Sequence, residues 1–172
     1  MGPASAEIDI DVPRQRIFEE LLDLSRRPSF TDHFISDFRL TRIDPTGLGA
    51  GARFRFQSPL RSPWVDTMIV EVEEPHLIVE EGRGGRVNRI PSHTVWELLE
   101  GPGPLSRVRV SYWTEPANAV DRTVEVLSGA SIWSERGWRE ALRRLRDQLE
   151  SEAQTLKRIA VAGGNPHPTG IP

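Results

Sequence analysis

The stretch GLGAGARFRF, Gly47–Phe56, decides how this chain is read. Glycines stand at positions 47, 49 and 51, and arginine then alternates with phenylalanine. Glycines at that density either cradle a phosphate or turn a hairpin. A dinucleotide loop needs a strand before its glycines and a helix after them. Here the alternation of Arg53, Phe54, Arg55 and Phe56 makes the following segment a strand. A kinase-type glycine loop does lie between strands, but it needs a lysine on the strands that follow. The only lysine of the chain is Lys157, and no GK[ST] triplet occurs. The three glycines are therefore read as the positive-φ residues and bulge of a β-hairpin.

Working outward, the same period of two runs from Asp37 to Pro116. Phe38–Ile43, Arg53–Gln57, Trp64–Glu73, Leu77–Glu81, Arg89–Glu100 and Arg107–Glu115 read as strands. DPTG, SPLRSP, EEPH, GRGG and GPGP separate them, and all of these have turn chemistry. Successive strands on short connectors form an antiparallel meander. Upstream, Ala6–Asp11 alternates as a first strand. Asp11, Val12 and Pro13 open a helix carrying Ile17, Phe18, Leu21 and Leu22, which Pro28 ends. Ser29 caps a second short helical piece with Phe30, Phe34 and Ile35. Downstream, Trp138, Ala141, Leu142, Leu145, Leu149, Ala153, Leu156 and Ile159 form one stripe of a long helix. Residues 117–132 read as a connector, with a helical turn around Val120, Val124 and Leu127. The fold class is α+β: a curved antiparallel sheet wrapped around a long C-terminal helix, with two short helices after the first strand.

The chain has 172 residues and a formal charge of −3, enough for one domain with a real core. Acidic residues outnumber basic ones and are mixed with them, which argues against a nucleic-acid surface. No apolar run reaches the roughly 20 residues of a membrane span. The N-terminus has no basic region followed by an apolar one, so no export signal is read. Without cysteine there is no disulfide, thiol nucleophile or thiolate metal site. The expected compartment is the cytoplasm.

Alternation sorts each strand into two faces. Phe54 and Phe56 share one face of their strand. On the next strand Trp64, Asp66, Met68, Val70 and Val72 form the more apolar set and are expected inward, opposite Val65, Thr67 and Ile69. Ser92, Thr94, Trp96 and Leu98 form an inner set, with His93 outward, and Val108, Val110, Tyr112 and Thr114 another. A plain core favours Val, Ile and Leu. Large aromatics with a few polar groups suit the wall of a hydrophobic pocket. The expected cavity set is His33, Phe54, Phe56, Trp64, Asp66, Met68, Thr94, Trp96, Tyr112, Trp138 and Leu142. Each tryptophan alone also reads as ordinary core. Asp66 also reads as solvated or paired with an arginine. Gly137, beside Trp138, leaves either a gap at the cavity or room for close packing. The scattered histidines show no metal spacing, so neither metal nor cofactor is expected.

EIDIDVPRQRIFEELLDLSRRPSF, GLGAGARFRF, TVWELLEGPGPLSRVRVSYW and REALRRLRDQLESEA together resemble the START-like superfamily, also called SRPBCC or polyketide cyclase/dehydrase-like, with the helix-grip fold. The resemblance spans roughly residues 6–160, with residues 1–5 and 161–172 expected to be disordered. It implies a hydrophobic cavity between sheet and helix, and a small ligand of lipid, polyketide or aromatic type. It also leaves open a cyclase/dehydrase enzyme, for whose acid–base steps Asp66, Thr94, Tyr112 and His33 are candidates, or a cavity-poor interaction module. No family motif maps onto those four residues. The expected state is a monomer or homodimer without nucleic-acid partner or membrane insertion.

Overall fold

A computed structural model describes residues 3–57, 62–85, 89–115 and 130–163. Seven antiparallel strands form one sheet: β1 (Ala4–Ile10), β2 (Ile35–Leu40), β3 (Gly51–Phe56), β4 (Trp64–Glu73), β5 (Leu77–Gly84), β6 (Ile90–Glu100) and β7 (Ser106–Thr114). Their order across the sheet is β1-β7-β6-β5-β4-β3-β2. The meander from β2 to β7 thus runs in chain order, and β1 closes its far side against β7, with Ala4 opposite Tyr112 and Ile10 opposite Ser106. Between β1 and β2 lie α1 (Arg14–Leu22), a 3₁₀ turn at Leu24–Arg26 and α2 (Pro28–Thr31). The long helix α3 (Ala130–Gly163) packs on the sheet. The expected α+β architecture is what the structure has. The turn expected around Val120, Val124 and Leu127 lies outside the described residues, as do residues 164–172.

Local chemistry places several boundaries. Pro13 precedes α1, and its carbonyl accepts from the Arg16 and Ile17 amides at 3.0 and 3.3 Å. The helix stops at Leu22, well before Pro28. Asp23 is extended there, and its carboxylate accepts from the Ser25 amide. Pro28 opens α2 instead, where its missing N–H costs nothing. Phe34 and Ile35 fall outside that helix, and Ile35 starts β2.

The glycine stretch is a β2–β3 connection. Gly47 and Gly49 take φ of +78° and +84°. Their amides are already used, by the Leu22 carbonyl at 3.4 Å and the Ile69 carbonyl at 2.8 Å. Those donors are therefore not turned toward a phosphate. Gly51 is different: it is the first residue of β3, and a Cβ there would stand 2.7 Å from Thr41 Oγ1.

One face assignment is corrected. On β4 the buried residues are Val65, Thr67 and Ile69. Trp64, Asp66 and Met68 lie on the opposite, outer face, and Met68 is 39% exposed. The register shifts between Ile69 and Glu71, which brings Val72 back against the core. An extra residue at this bulge reverses the phase, so no single alternation describes the strand.

Candidate functional site

The space between α3 and the sheet is occupied by aromatic rings. Trp138 on α3 is 2% exposed. It meets Trp96 of β6 edge-on at 5.4 Å, Phe34 at 5.0 Å and Tyr112 of β7 at 6.3 Å. Phe56 joins Tyr112 at 5.1 Å, Phe34 at 5.8 Å and Phe54 at 5.3 Å. Offset and edge-to-face contacts of this kind stabilise beyond their buried area. Thr94 and Leu142 are buried in the same layer. Phe54, Phe56, Thr94, Trp96, Tyr112, Trp138 and Leu142 are thus brought together, as an interdigitated aromatic core.

Trp64, Asp66 and Met68 are not part of it. The Trp64 ring lies on the outer face beside two guanidiniums, with Arg53 at 4.9 Å and Arg55 at 4.6 Å from its centroid. Asp66 pairs with Arg53 at 3.5 Å. Arg53 and Arg55 share the outward phase of β3, so an aromatic on the neighbouring strand finds cation–π partners there.

An open groove of about 650 Å³ lies where α3 approaches the β2–β3 edge. His33, Phe34, Ser36, Gln57, Arg136 and Gly137 line it, together with Ser62 and Trp133. Its volume falls in the range of about 300–1,000 Å³ usual for small-molecule sites. Of the expected cavity residues, His33 lines this groove. Phe34 connects it to the core, because its ring touches His33 at 4.8 Å as well as Phe56 and Trp138. Gly137 makes that packing possible: a Cβ there would stand 2.5 Å from Phe34 Cδ2. Close packing, rather than a gap, explains this helical glycine. A second opening of about 380 Å³, between β1 and α3, shares Arg136.

His33 Nε2 lies 3.0 Å from the Gly137 carbonyl oxygen. Burial, the largest influence, pulls the imidazole below its ordinary value of 6.5, against the hydrogen bond to Gly137. The nearby Arg144 guanidinium pulls the same way, while Glu140 and Asp32 oppose it.

A buried ion pair has no counterpart in the sequence reading. Arg27 Nη2 donates to Glu80 Oε1 at 2.7 Å, with the two side chains 5% and 3% exposed. Trp96 Nε1 donates to the same oxygen at 2.9 Å, and Thr67 Oγ1 to the other at 3.3 Å. The Arg27 guanidinium also lies over the Trp96 ring at 4.7 Å. Four groups from the α1–α2 connection, β4, β5 and β6 are thereby tied beneath the aromatic layer. The one signal available was that Glu80 shares the phase of buried Ile78. His93 points away from the aromatic layer, as its alternation implies, and stacks on Trp113 at 4.9 Å. Among the described residues no cluster of three metal-ligating side chains occurs, and no helix is long and apolar enough to cross a membrane.

Neither a family model nor a curated protein matches the chain. Solved structures do. The solution structure of KanY protein is 17% identical over 87% of this chain and 99% of its own, with a TM-score of 0.69. TTHA0849 from Thermus thermophilus is 12% identical over 87% and 98%, at 0.65. DynU16, a putative protein in the dynemicin biosynthetic locus, is 16% identical over 88% of this chain and 48% of its own, at 0.59. At these identities the likeness is one of fold. That fold is a curled antiparallel sheet with a C-terminal helix, of helix-grip type.

Proposed function

We propose that this chain binds a small hydrophobic molecule, of lipid, polyketide or aromatic type, in the groove beside the start of α3. The observation that carries this reading is the groove itself. It is large enough for such a ligand, Phe34 and Trp133 give it aromatic lining, and His33, Ser36, Gln57 and Arg136 give it polar groups. Aromatic walls with polar groups that fix orientation are common in ligand sites. Its seat is the end of the helix–sheet interface rather than the middle, where rings already fill the space. That ring packing favours a second reading, a cavity-poor module that recognises another protein. The likeness to a protein from a biosynthetic locus supports a small-molecule role by fold analogy alone.

Titration with N-phenyl-α-naphthylamine, an uncharged fluorescent probe, separates the two. Saturable enhancement at one probe per chain, abolished by filling the groove with Ser36→Trp, is the expected result. No saturable binding, in a chain that melts cooperatively, overturns the ligand reading and leaves the interaction module.

A further inference from the structure

Among the described residues, six buried side-chain nitrogen or oxygen atoms have no hydrogen-bond partner. Three of them belong to His33 and to the turn of α3 it is bonded to: His33 Nδ1, Ser134 Oγ and Trp138 Nε1; of these residues His33 lines the groove. Native proteins leave few such atoms unsatisfied, and each costs its desolvation. Ser134 and Trp138 stand one helical turn apart on one face of α3, and both residues are buried. Gly137, between them, holds His33 through its carbonyl. A carbonyl only accepts, so Nε2 carries the ring proton and Nδ1 presents a bare lone pair. To the groove, His33 therefore offers an acceptor.

The complement of that acceptor is a neutral donor such as a hydroxyl. An ionised carboxylate only accepts and would face the Nδ1 lone pair. A plain hydrocarbon would leave Nδ1 unsatisfied. Resting on the ligand-binding reading above, we propose that the groove takes a hydroxylated aromatic whose hydroxyl donates to His33 Nδ1. Phe34 and Trp133 supply the faces for the ring. Nδ1 is shielded from bulk water, so the measured preference is net of opening that atom to the ligand.

Displacement of N-phenyl-α-naphthylamine by α-naphthol, α-methylnaphthalene and α-naphthoate tests this. One added hydrogen bond to a group shielded from bulk water corresponds to a preference of about tenfold for the naphthol over the methyl compound. His33→Gln keeps a donor for Gly137 but removes the acceptor. It should abolish the preference, read as the ratio of naphthol to methylnaphthalene affinity within the same variant. His33→Asn, whose amide oxygen falls near the Nδ1 position, should retain part of it. Nitrogen NMR of the parent needs no variant: the His33 Nδ1 resonance should move on adding naphthol and not on adding methylnaphthalene. If the naphthylamine binds but naphthol shows no advantage, or Nδ1 stays unmoved, this assignment is overturned and ligand binding stands. If neither the naphthylamine nor any naphthalene binds, both are overturned.

Discussion

Glu80→Gln removes one charge from the interior and almost no volume. In the parent, the Glu80 carboxylate accepts from Arg27 at 2.7 Å, Trp96 at 2.9 Å and Thr67 at 3.3 Å. An amide oxygen still accepts from Arg27 and Trp96, so most of the geometry survives. What is lost is the counter-charge of a guanidinium whose side chain is 5% exposed. Stranding one partner of a buried pair costs about 3–5 kcal/mol. The Trp96 face over Arg27 does not offset this, since that contact exists in the parent too. We expect the low end, about 3 kcal/mol, because the amide oxygen keeps two bonds. At about 2 kcal/mol per molar in urea, the unfolding midpoint should fall by roughly 1.5 M. The double variant Arg27→Met with Glu80→Gln removes the stranded charge and leaves the amide to serve Trp96 and Thr67. It should regain most of the loss, because replacing a buried pair by neutral groups is often close to neutral. Equilibrium urea melts followed by tryptophan fluorescence measure all three proteins. A Glu80→Gln midpoint within about 0.3 M of the parent, or a double variant no more stable than the single one, would show that the pair is not the electrostatic tie described.

Three further outcomes follow from the packing. Gly137→Ala should destabilise by about 1–3 kcal/mol despite the better helix former, because its methyl meets the Phe34 ring; a stabilised protein in thermal melts refutes the packing account. Trp138→Ala should cost about 3–5 kcal/mol and Leu149→Ala about 2–5, both with one cooperative transition, since both side chains are buried under α3; a loss below about 1 kcal/mol for either removes it from the core. His33 binds its proton less readily folded than unfolded, so the unfolded chain holds more protons as pH falls below 6.5 and stability declines there. His33→Gln should flatten that decline between pH 7.5 and about pH 5.5, and an unchanged pH profile in denaturant melts excludes His33 as its source.

How much of this was legible in the sequence depends on whether a local period carried the information. The meander, the glycine hairpin and the stripe of α3 each rest on a repeat of two or 3.6 residues, and the structure has all three. The stripe overstated burial only at its far end, where Leu156 and Ile159 are 65% and 63% exposed. The core covers α3 fully as far as Leu149 and partly at Ala153, and periodicity carries no information about where a partner surface stops. The inward assignment of Trp64, Asp66 and Met68 failed for a related reason. Trp64, Met68, Val70 and Val72 make the more apolar single-phase set, yet the register shift after Ile69 joins Val65, Thr67 and Ile69 to Val72 on one face. A bulge is an insertion into the pairing, set by the partner strand, and the strand's own sequence does not announce it. Arg27 and Glu80 were harder still. Each sits in a charged run that reads as solvated, and 53 positions separate them. Only the closure of the α1–α2 connection over β5 brings them together. The groove belongs to the same class. His33, Ser36, Gln57, Arg136 and Gly137 come from the turn after α2, the β2–β3 edge and the long helix α3, and nothing periodic joins them. Alternation recovered the layer that fills the fold, whereas the groove and the buried charge arise from contacts between segments that are distant in sequence. For a fold whose interior is this densely packed with aromatics, the functional residues are then best sought where the packing leaves polar atoms unsatisfied. Among the described residues His33 Nδ1 is such an atom, on a residue that lines the groove.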